Sequence, residues 1–311
     1  MENFPAESCF KLDIFRSSFY SVGLLPRLKA IFEVRKNRTV INHITGDTNF
    51  FALGLPRRNT ILTIHDCGLL DGKNLLARWI LKTFWLTLPV RNCQILTVVS
   101  EATKQDILRL TGCSADKIAV VPTVIKSNFV FSHKIFRKDY PTLLHIGNSP
   151  NKNLARHAAA LSGLPCRLHV VGQVSEAEIH LLKDLNIDYK ISVNLTPEEM
   201  HDAYCDTDIL LFCSTIEGFG MPILEAQTVG RVVISSNVSA MPEVAGDGAC
   251  LVDPLSISEI RAAIQRVLSD ENYRNTLIQN GLQNIRRFNP ATVARQYEAL
   301  YEKLLLFKSG D

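Results

Sequence analysis

Short apolar runs alternate with amphipathic stretches along the second half of the chain. The runs at 142–147 (TLLHIG) and 208–214 (DILLFCS) are nearly continuous in apolar residues, which is typical of strands covered on both faces. The stretches between such runs repeat apolar residues at helical spacing. One of them, TPEEMHDAYCDT, begins with Thr196 as N-cap and has Glu199 three positions later, the pattern of a capping box. This alternation predicts an α/β domain with a doubly wound parallel sheet.

The first half of the chain repeats this rhythm more faintly. Four apolar runs there predict strands, at 39–45, 60–66, 94–100 and 117–123. After the third run, Ser100 and Gly112 are placed to begin and end a helix. Around residues 124–140 the alternation breaks, which indicates a linker between domains.

The pattern therefore predicts two Rossmann-like, doubly wound parallel-sheet domains facing a cleft. We assign 1–130 to the N-terminal domain and 131–290 to the C-terminal domain, and we expect 291–311 to form a helix that is free to pack back on the N-terminal domain. Ligands of open α/β sheets bind beyond the carboxyl ends of the strands. The residues at those ends are therefore the candidates for chemistry.

Composition narrows the class of protein. The chain has 311 residues, of which 46% are hydrophobic and 21% charged, and it holds no run of about 20 apolar residues that predicts a membrane span. The first residues lack the pattern of a secretory signal. The eight cysteines show no C-x-x-C pair and no zinc spacing. We expect a cytoplasmic protein with reduced cysteines.

Charge is unevenly distributed along the chain. Residues 1–135 hold 18 lysines and arginines against 10 aspartates and glutamates, a balance of +8, and the remainder has a balance of −5. Chance variation on solvated faces explains such counts, and so does an anionic partner for the first half. We expect that partner to be an anionic membrane surface and not a nucleic acid.

The first candidate site is the stretch 213–227, CSTIEGFGMPILEAQ. It follows the run ending at 214, and Pro222 is a favoured first residue of a helix. Two glycines allow a tight turn, and the helix N-terminus attracts phosphate. Glu217 and Glu225 flank this turn and are able to accept hydrogen bonds from hydroxyls. The stretch suits a molecule with a phosphate and sugar hydroxyls; the alternative is a plain turn with two exposed acids.

Two further strand ends carry candidates. In HIGNSPNKN (145–153), Gly147 permits a tight exit from the strand and Lys152 is able to place an ammonium over a diphosphate. In IHDC (64–67), His65 follows a strand of the first half. The alternatives are a solvated lysine and a packed histidine.

Several other kinds of site are excluded. Asp206 and Asp208 resemble a metal-binding pair, but they precede a strand and so lie at the wrong edge of the sheet. The chain has no Walker A motif, no G-x-G-x-x-G and no G-x-S-x-G. No metal site is expected.

Taken together, the motifs between residues 41 and 254 resemble the retaining family-4 glycosyltransferases, which have the GT-B fold. STIEGFGMPILEAQTVG is similar to their E-G-F-G-x-P-x-x-E-A signature, and HIGNSPNKNL is similar to their phosphate-binding strand end. LTPEEMHDAYCDTDILLFCS and VVISSNVSAMPEVAGDGACLVDP resemble the segments on either side of the signature. TILTIHDC and ILTVVSEATKQDIL resemble elements of the family's acceptor domain.

The resemblance implies roles for particular residues. Donor-binding roles fall on Gly147, Asn148, Lys152, Gly218, Phe219, Gly220, Met221 and Glu225, and catalytic roles on Glu217, His65 and Lys152. Glu217 would contact the transferred sugar and Glu225 the ribose. Lys152 would neutralise the diphosphate, assisted by backbone N–H groups of the glycine turn. His65 would reach the donor sugar from the other domain when the cleft closes.

The resemblance also implies the reaction, a hexosyl transfer from a UDP- or GDP-linked sugar with retention at the anomeric carbon. The leaving phosphate would help to deprotonate the acceptor hydroxyl, and neither a metal nor a cofactor would be required. The expected acceptor is a glycan or a lipid-linked glycan in bacterial cell-surface polysaccharide or lipopolysaccharide synthesis. The enzyme would be cytoplasmic or peripheral at the inner face of the membrane.

Two features depart from the family pattern. Asn148 occupies the position of an arginine that usually follows the glycine, so Lys152 would bind the diphosphate alone or with Arg156. Residues 1–40 contain a single glycine, Gly23, and no glycine-rich loop, so the acceptor domain is short at its front edge. Two other functions remain open: a GT-B-fold sugar-nucleotide epimerase, and a non-catalytic sugar-nucleotide-binding partner subunit.

Overall fold

The computed structural model describes residues 8, 10–19, 23–70 and 72–309. These residues form two compact units. Unit 1 comprises the described parts of Met1–Thr123 and Pro290–Asp311, and unit 2 comprises Val124–Asn289.

Unit 1 contains a four-stranded parallel sheet. Its strands, which lie side by side in chain order, are β1 (Asn42–Ile44), β2 (Thr60–Ile64), β3 (Ile95–Val98) and β4 (Ile118–Val120). Its first helices are α1 (Leu24–Lys36), α2 (Leu75–Leu81), α3 (Leu88–Arg91) and α4 (Glu101–Thr111), with a π-helical turn at Lys82–Thr87. Among the described residues before β1, α1 is the one regular element. The four strands predicted for the first half are confirmed, with shorter bounds.

The strands are shorter than predicted because their polar ends form caps and loops. Ser100 is the clearest case: its Oγ accepts a hydrogen bond from the Thr103 N–H (3.1 Å) and so caps α4 instead of continuing β3. Gly112 ends the same helix in the left-handed conformation, with φ 64°. Both predictions for this helix are confirmed.

Unit 2 contains a six-stranded parallel sheet in the order β10-β9-β8-β5-β6-β7. Its strands are β5 (Thr142–Ile146), β6 (Arg167–Val171), β7 (Asp188–Ser192), β8 (Ile209–Phe212), β9 (Val232–Ser236) and β10 (Cys250–Val252). Its helices are α5 (Leu154–Leu161), α6 (Glu176–Asp184), α7 (Pro197–Asp206), α8 (Met221–Val229), α9 (Met241–Ala245), α10 (Ile257–Ser269) and α11 (Glu271–Asn284). The predicted capping box of α7 is confirmed: Glu199 N–H donates to Thr196 Oγ1, and Thr196 N–H donates to Glu199 Oε2.

Strand order in unit 2 reverses between β5 and β8. The chain proceeds from β5 to β6 and β7 on one side, then crosses back to place β8 on the other side of β5. Ligands of doubly wound sheets bind at such a switch point, outside the carboxyl ends of the two strands. β8 and β9 are buried along their whole length, so their ends alone are open to chemistry.

Short 3-10 turns join many of these elements, at Asn49–Gly54, Arg57–Asn59, Gly68–Leu70, Ala115–Lys117, Pro150–Lys152, Gly246–Gly248 and Ile285–Phe288.

Asp208 fixes the other end of the unit 2 sheet, where the parallel strands begin. Its buried carboxylate accepts hydrogen bonds from the Thr142 N–H (2.8 Å) and from the Arg137 N–H and Nε, and Lys134 Nζ lies 3.8 Å away. These contacts hold the segment before β5 against the start of β8. Within the described residues, no group of three or more His, Cys, Asp and Glu side chains is arranged to hold a metal ion.

The last helix, α12 (Pro290–Ser309), belongs to unit 1. Its Tyr301 and Leu304 side chains are buried against Ile61 of β2 and Ile95 of β3. Tyr301 also joins a buried polar ladder that crosses the sheet. His43 Nδ1 lies 2.8 Å from Tyr301 Oη, and its Nε2 lies 2.7 Å from Thr63 Oγ1, which is itself bonded to the Thr97 hydroxyl. Because burial disfavours the imidazolium, the pKa of His43 falls to about 4.

Unit 1 should therefore lose stability in mild acid through His43. An unfolded histidine has a pKa of about 6.5, so the unfolded chain binds more protons than the folded chain below that pH. The stabilising contribution is fully present above about pH 6.5 and is lost as the pH falls toward the folded pKa. Between pH 7.5 and pH 5.0 we expect His43 to account for a loss of about 1–2 kcal/mol in the free energy of unfolding.

Urea unfolding followed by tryptophan fluorescence measures this loss, because both tryptophans, Trp79 and Trp85, lie in unit 1. In His43→Gln the extra sensitivity to acid should disappear, whereas His180→Gln, which replaces an exposed histidine of unit 2, should keep the wild-type dependence. An unchanged pH dependence in His43→Gln would contradict this account.

Candidate functional site

The two loops that leave β5 and β8 meet at the switch point of unit 2. The strands pair directly, with Leu143 opposite Ile209 and Leu144 opposite Leu210. Residues 147–153 follow β5, and residues 213–220 follow β8. The segments that carry the predicted donor site therefore leave the sheet side by side.

Hydrogen bonds join the two loops. Thr215 N–H donates to the Asn151 carbonyl (2.8 Å), and Asn151 Nδ2 donates to the Ile216 carbonyl (2.9 Å). Asn153 is buried in the left-handed conformation, with φ 67°, and its Nδ2 donates to the Cys213 carbonyl (2.9 Å). These bonds fix the positions of the side chains that the loops carry.

Lys152 and Glu217 form one charged centre. Lys152 Nζ lies 2.5 Å from Glu217 Oε1, and the two side chains are only 20% and 14% exposed. The ammonium also lies 5.1 Å from the centre of the Phe212 ring. Two residues that the sequence suggested separately are thus in direct contact, and the alternative of a solvated lysine is wrong.

Gly147 makes the position of Lys152 possible. Its φ is +102°, a conformation that other residues rarely adopt, and a Cβ there would lie 2.8 Å from Lys152 Cγ. The predicted tight exit from β5 is confirmed. Asn148, the next residue, is exposed, and Arg156 donates from Nη1 to Asn153 Oδ1 (2.9 Å).

Ser239 supports Glu217, a contact that sequence reasoning missed. Ser239 Oγ donates to the Glu217 carbonyl (2.7 Å) and accepts from the Glu217 N–H (3.2 Å). Ser239 has a positive φ of 56° in the loop after β9. The segment around it resembled the family, but nothing in its spacing pointed to this contact.

The glycine turn leads into α8 one residue earlier than predicted. The helix begins at Met221, not Pro222, because Gly220 takes the left-handed N-cap position with φ 106° and Pro222 occupies the first turn. Gly218 precedes this cap. Phe219 points into the unit, where its ring packs edge-to-face on Phe288 at 5.7 Å. In this first turn Pro222 has no N–H, and the Ile223 N–H donates to the Gly220 carbonyl (3.0 Å), which leaves the Met221 N–H as a donor for an anion.

Glu225 is buried one turn into α8. It is 9% exposed, and its Oε2 accepts a hydrogen bond from Tyr204 Oη of α7 (2.7 Å). Burial raises the pKa of Glu225, and the Tyr204 hydrogen bond opposes that rise in part. Burial beside Glu225 also raises the pKa of Tyr204 well above its usual value. The alternative of two exposed acids is therefore wrong, and Tyr204 is a further residue that spacing could not reveal.

His65 lies in unit 1, directly after β2, with an exposed side chain. Its carbonyl accepts from Thr103 Oγ1 (3.4 Å), and the neighbouring Asp66 accepts from the Gly68 N–H (2.8 Å). His65 and Asp66 line a cavity of unit 1 whose other walls include Asp47, Trp85 and Leu86. The alternative of a packed histidine does not hold for His65.

Two family models match this chain. The model for glycosyl transferases group 1 matches residues 129–284, and the model for glycosyltransferase family 4 matches residues 7–129. The chain is 22% identical over 286 residues to the serotype-specific mannosyltransferase WbdA of Escherichia coli, covering 82% of this chain and 35% of the relative. It is 26% identical over 219 residues to the O-antigen chain mannosyltransferase RfbU of Salmonella typhimurium, covering 68% and 61%. It thus spans less than two thirds of the length of these relatives.

Solved structures share the fold. Sucrose-phosphate synthase from Thermosynechococcus elongatus superposes with a TM-score of 0.76 at 19% identity, over 94% of this chain and 83% of that one. HepE from Anabaena, solved with UDP and glucose, superposes with a TM-score of 0.73 at 15% identity, over 89% and 81%. The GT-B fold is confirmed, and with half of its length matched by the group 1 model, the chain belongs to the glycosyltransferases of group 1.

Proposed function

We propose that this protein is a retaining glycosyltransferase that moves a sugar from a nucleotide diphosphate sugar to a glycan or lipid-linked acceptor. The observation that carries the proposal is the Lys152–Glu217 pair at the carboxyl ends of β5 and β8. Glu217 of this pair lies four residues before Met221, the first residue of α8. An ammonium, a carboxylate and a helix N-terminus in one place suit a ligand with a diphosphate and sugar hydroxyls.

The diphosphate would bind at Lys152 and at the first turn of α8. In the free chain Glu217 already neutralises the lysine, so the diphosphate competes with Glu217 for the same ammonium. The diphosphate of a nucleotide sugar carries two negative charges against one on the carboxylate, so it attracts the ammonium more strongly once it is close. Donor binding thus releases Glu217 to accept hydrogen bonds from hydroxyls of the sugar.

Glu225 would hold the ribose. Tyr204 occupies Oε2, which leaves Oε1 for the ribose hydroxyls. Because the carboxylate is buried, each hydroxyl that binds it replaces water at little reorganisation cost. His65, from unit 1, is assigned to the sugar on the strength of the family resemblance.

The reaction proceeds on one face of the sugar. The bond between the anomeric carbon and the diphosphate oxygen breaks, and the leaving diphosphate takes its electrons while Lys152 stabilises the new charge. The acceptor hydroxyl oxygen forms the new bond on the same face, and its proton passes to a phosphate oxygen. Because the bond breaks and forms on the same face, the configuration at the anomeric carbon is retained. The proposed reaction uses no metal.

The relatives suggest which substrates to test first. WbdA and RfbU are named as mannosyltransferases, and RfbU as acting on the O-antigen chain. We therefore propose a mannosyl donor. The proposed acceptor is a growing bacterial cell-surface polysaccharide, such as that of lipopolysaccharide. A UDP-linked hexose is the second donor to test.

We also propose that unit 1 docks on an anionic membrane surface. Two helices carry exposed apolar stripes, Leu24, Leu25, Leu28 and Phe32 on α1, and Leu75, Leu76, Trp79, Ile80 and Phe84 on α2 and the turn after it. Arg27 of α1 stacks on Trp85 at 4.7 Å and so holds the two elements together. Exposed Arg35, Lys36 and Lys73 lie on or beside the same elements.

This combination is typical of a surface that lies on a bilayer, because apolar side chains enter the headgroup region while cations meet anionic lipid. Among the described residues, no helix is both long enough and apolar enough to span a membrane.

Glu217→Gln and Lys152→Met should affect different steps. Without the carboxylate, Lys152 has no competitor, so the affinity for nucleotide diphosphate should hold or rise while kcat falls by about 10²-fold or more. Without the ammonium, diphosphate binding should weaken by about ten-fold or more. Calorimetric titration with UDP and GDP, and initial rates of transfer, separate the two effects.

Glu176→Gln, an exposed acid at the start of α6, is the matched control and should leave both quantities unchanged. The rates come from a panel of GDP- and UDP-sugars with and without lipid-linked acceptor, and proton NMR of the product reports the anomeric configuration. Full transfer activity in Glu217→Gln would refute its role. Epimerisation without acceptor, binding without turnover, or an inverted product would replace the proposed reaction.

Vesicle flotation tests the membrane proposal. Wild-type protein should float with vesicles containing anionic lipid at low salt and much less with neutral vesicles, since each basic residue near the surface contributes about 1 kcal/mol. Leu75→Glu with Trp79→Glu should greatly reduce flotation, because both carboxylates would enter the apolar region.

Leu255→Glu changes a leucine of unit 2 that is as exposed as Trp79, and this variant should float like the wild type. Equal flotation of all three proteins, or none with anionic lipid, would count against docking by unit 1.

A further inference from the structure

We propose that His145 and His157 are positioning residues that orient the Gly147–Asn148 peptide, so that the Asn148 N–H faces the diphosphate of the donor. This inference rests on the proposed nucleotide-sugar function. Neither histidine is assigned a role by the resemblance, and both lie beneath the site in unit 2.

The two imidazoles form a continuous hydrogen-bonded chain between the loops after β8 and β5. The Cys213 N–H donates to His157 Nε2 (3.3 Å), His157 Nδ1 lies 2.9 Å from His145 Nδ1, and His145 Nε2 lies 3.0 Å from the Gly147 carbonyl. The two rings meet edge to face, with centroids 5.0 Å apart.

The direction of every bond in the chain is fixed by its two ends. A backbone N–H only donates, so His157 Nε2 must accept from Cys213 and His157 Nδ1 must carry the proton. His157 therefore donates to His145 Nδ1. His145 Nε2 then carries a proton and donates to the Gly147 carbonyl, which only accepts. One tautomer of each ring satisfies all three bonds.

Both rings stay neutral, so this tautomeric state persists. They are almost completely buried. Burial lowers the pKa of His145 to about 4 and that of His157 well below its usual value. An added proton would place two donors face to face between the rings and break the chain.

The consequence reaches the donor site through the peptide that follows Gly147. No cis peptide bond occurs among the described residues, and in a trans peptide the C=O and N–H point in opposite directions. The Gly147 carbonyl is held inward by His145, so the Asn148 N–H points outward. Among the described residues no acceptor is bonded to that N–H.

The same peptide is confined by Gly172. A Cβ on Gly172, whose φ is +145°, would lie 3.2 Å from the Gly147 carbonyl carbon and 3.5 Å from the Asn148 nitrogen. The peptide is therefore packed closely against the Gly172 backbone as well as hydrogen-bonded to His145. Apolar residues would fill the space of the two histidines equally well, but they would leave the carbonyl without its donor.

Binding of nucleotides with and without phosphate tests the proposal. His145→Leu and His157→Leu should weaken the binding of UDP or GDP, whichever binds the wild type more tightly, by about ten-fold, the effect of losing one hydrogen bond to a charged group. Binding of the matching nucleoside should change little, because the Asn148 N–H reaches only the phosphates. His157→Gln keeps an acceptor and a donor and should bind within about two-fold of the wild type.

Gly172→Ala provides an independent variant, because it displaces the same peptide while leaving both histidines in place, and it should show the same phosphate-specific loss. Thermal unfolding of each variant confirms that the fold is retained. Equal binding of the diphosphate by wild-type and leucine variants, equal losses for nucleoside and diphosphate, or no rescue by His157→Gln would overturn the positioning role alone. Failure of the wild-type protein to bind either diphosphate would overturn the proposed function and the positioning role together.

Discussion

The ion pair between the Lys152 ammonium and the Glu217 carboxylate is the interaction on which the candidate site of unit 2 depends. Both charges are largely shielded from water, so each requires a counter-charge at close range. The pair forms only because β5 and β8 are neighbours, because Gly147 leaves space for the lysine stem, and because hydrogen bonds lock the two loops together. In the proposed function the same pair responds to the donor, because the diphosphate competes with Glu217 for the lysine.

Polar groups buried beneath the site also hold its two loops in place. The hydrogen-bonded histidines tie the loop after β8 to the loop after β5, and Asn153 ties the latter to Cys213. Unit 1 uses its own buried ladder, centred on His43, to hold α12 against the sheet. The surface that we propose docks on a membrane lies on α1 and α2 of the same unit, where exposed apolar and basic side chains occur together.

The alternation of apolar runs was enough to predict both parallel sheets, because strands covered on both faces leave a strong signal over few residues. The caps at Ser100 and Thr196 were also predictable, since capping depends on residues three apart in sequence. Strand ends were overestimated where a polar residue left the sheet to form a cap. The contacts of Glu217 with Lys152, of Glu217 with Ser239 and of Glu225 with Tyr204 join residues 21 to 65 positions apart. Such contacts are set by strand order and packing, which spacing along the chain does not encode.

A crystal structure of the protein with its nucleotide diphosphate tests the central claim most directly. We expect a β-phosphate oxygen within hydrogen-bonding distance of Lys152 Nζ, roughly 2.7–2.9 Å, with the Glu217 carboxylate turned away from the ammonium and toward the site of the sugar. A diphosphate bound elsewhere, with the Lys152–Glu217 pair intact at its present 2.5 Å, would contradict it.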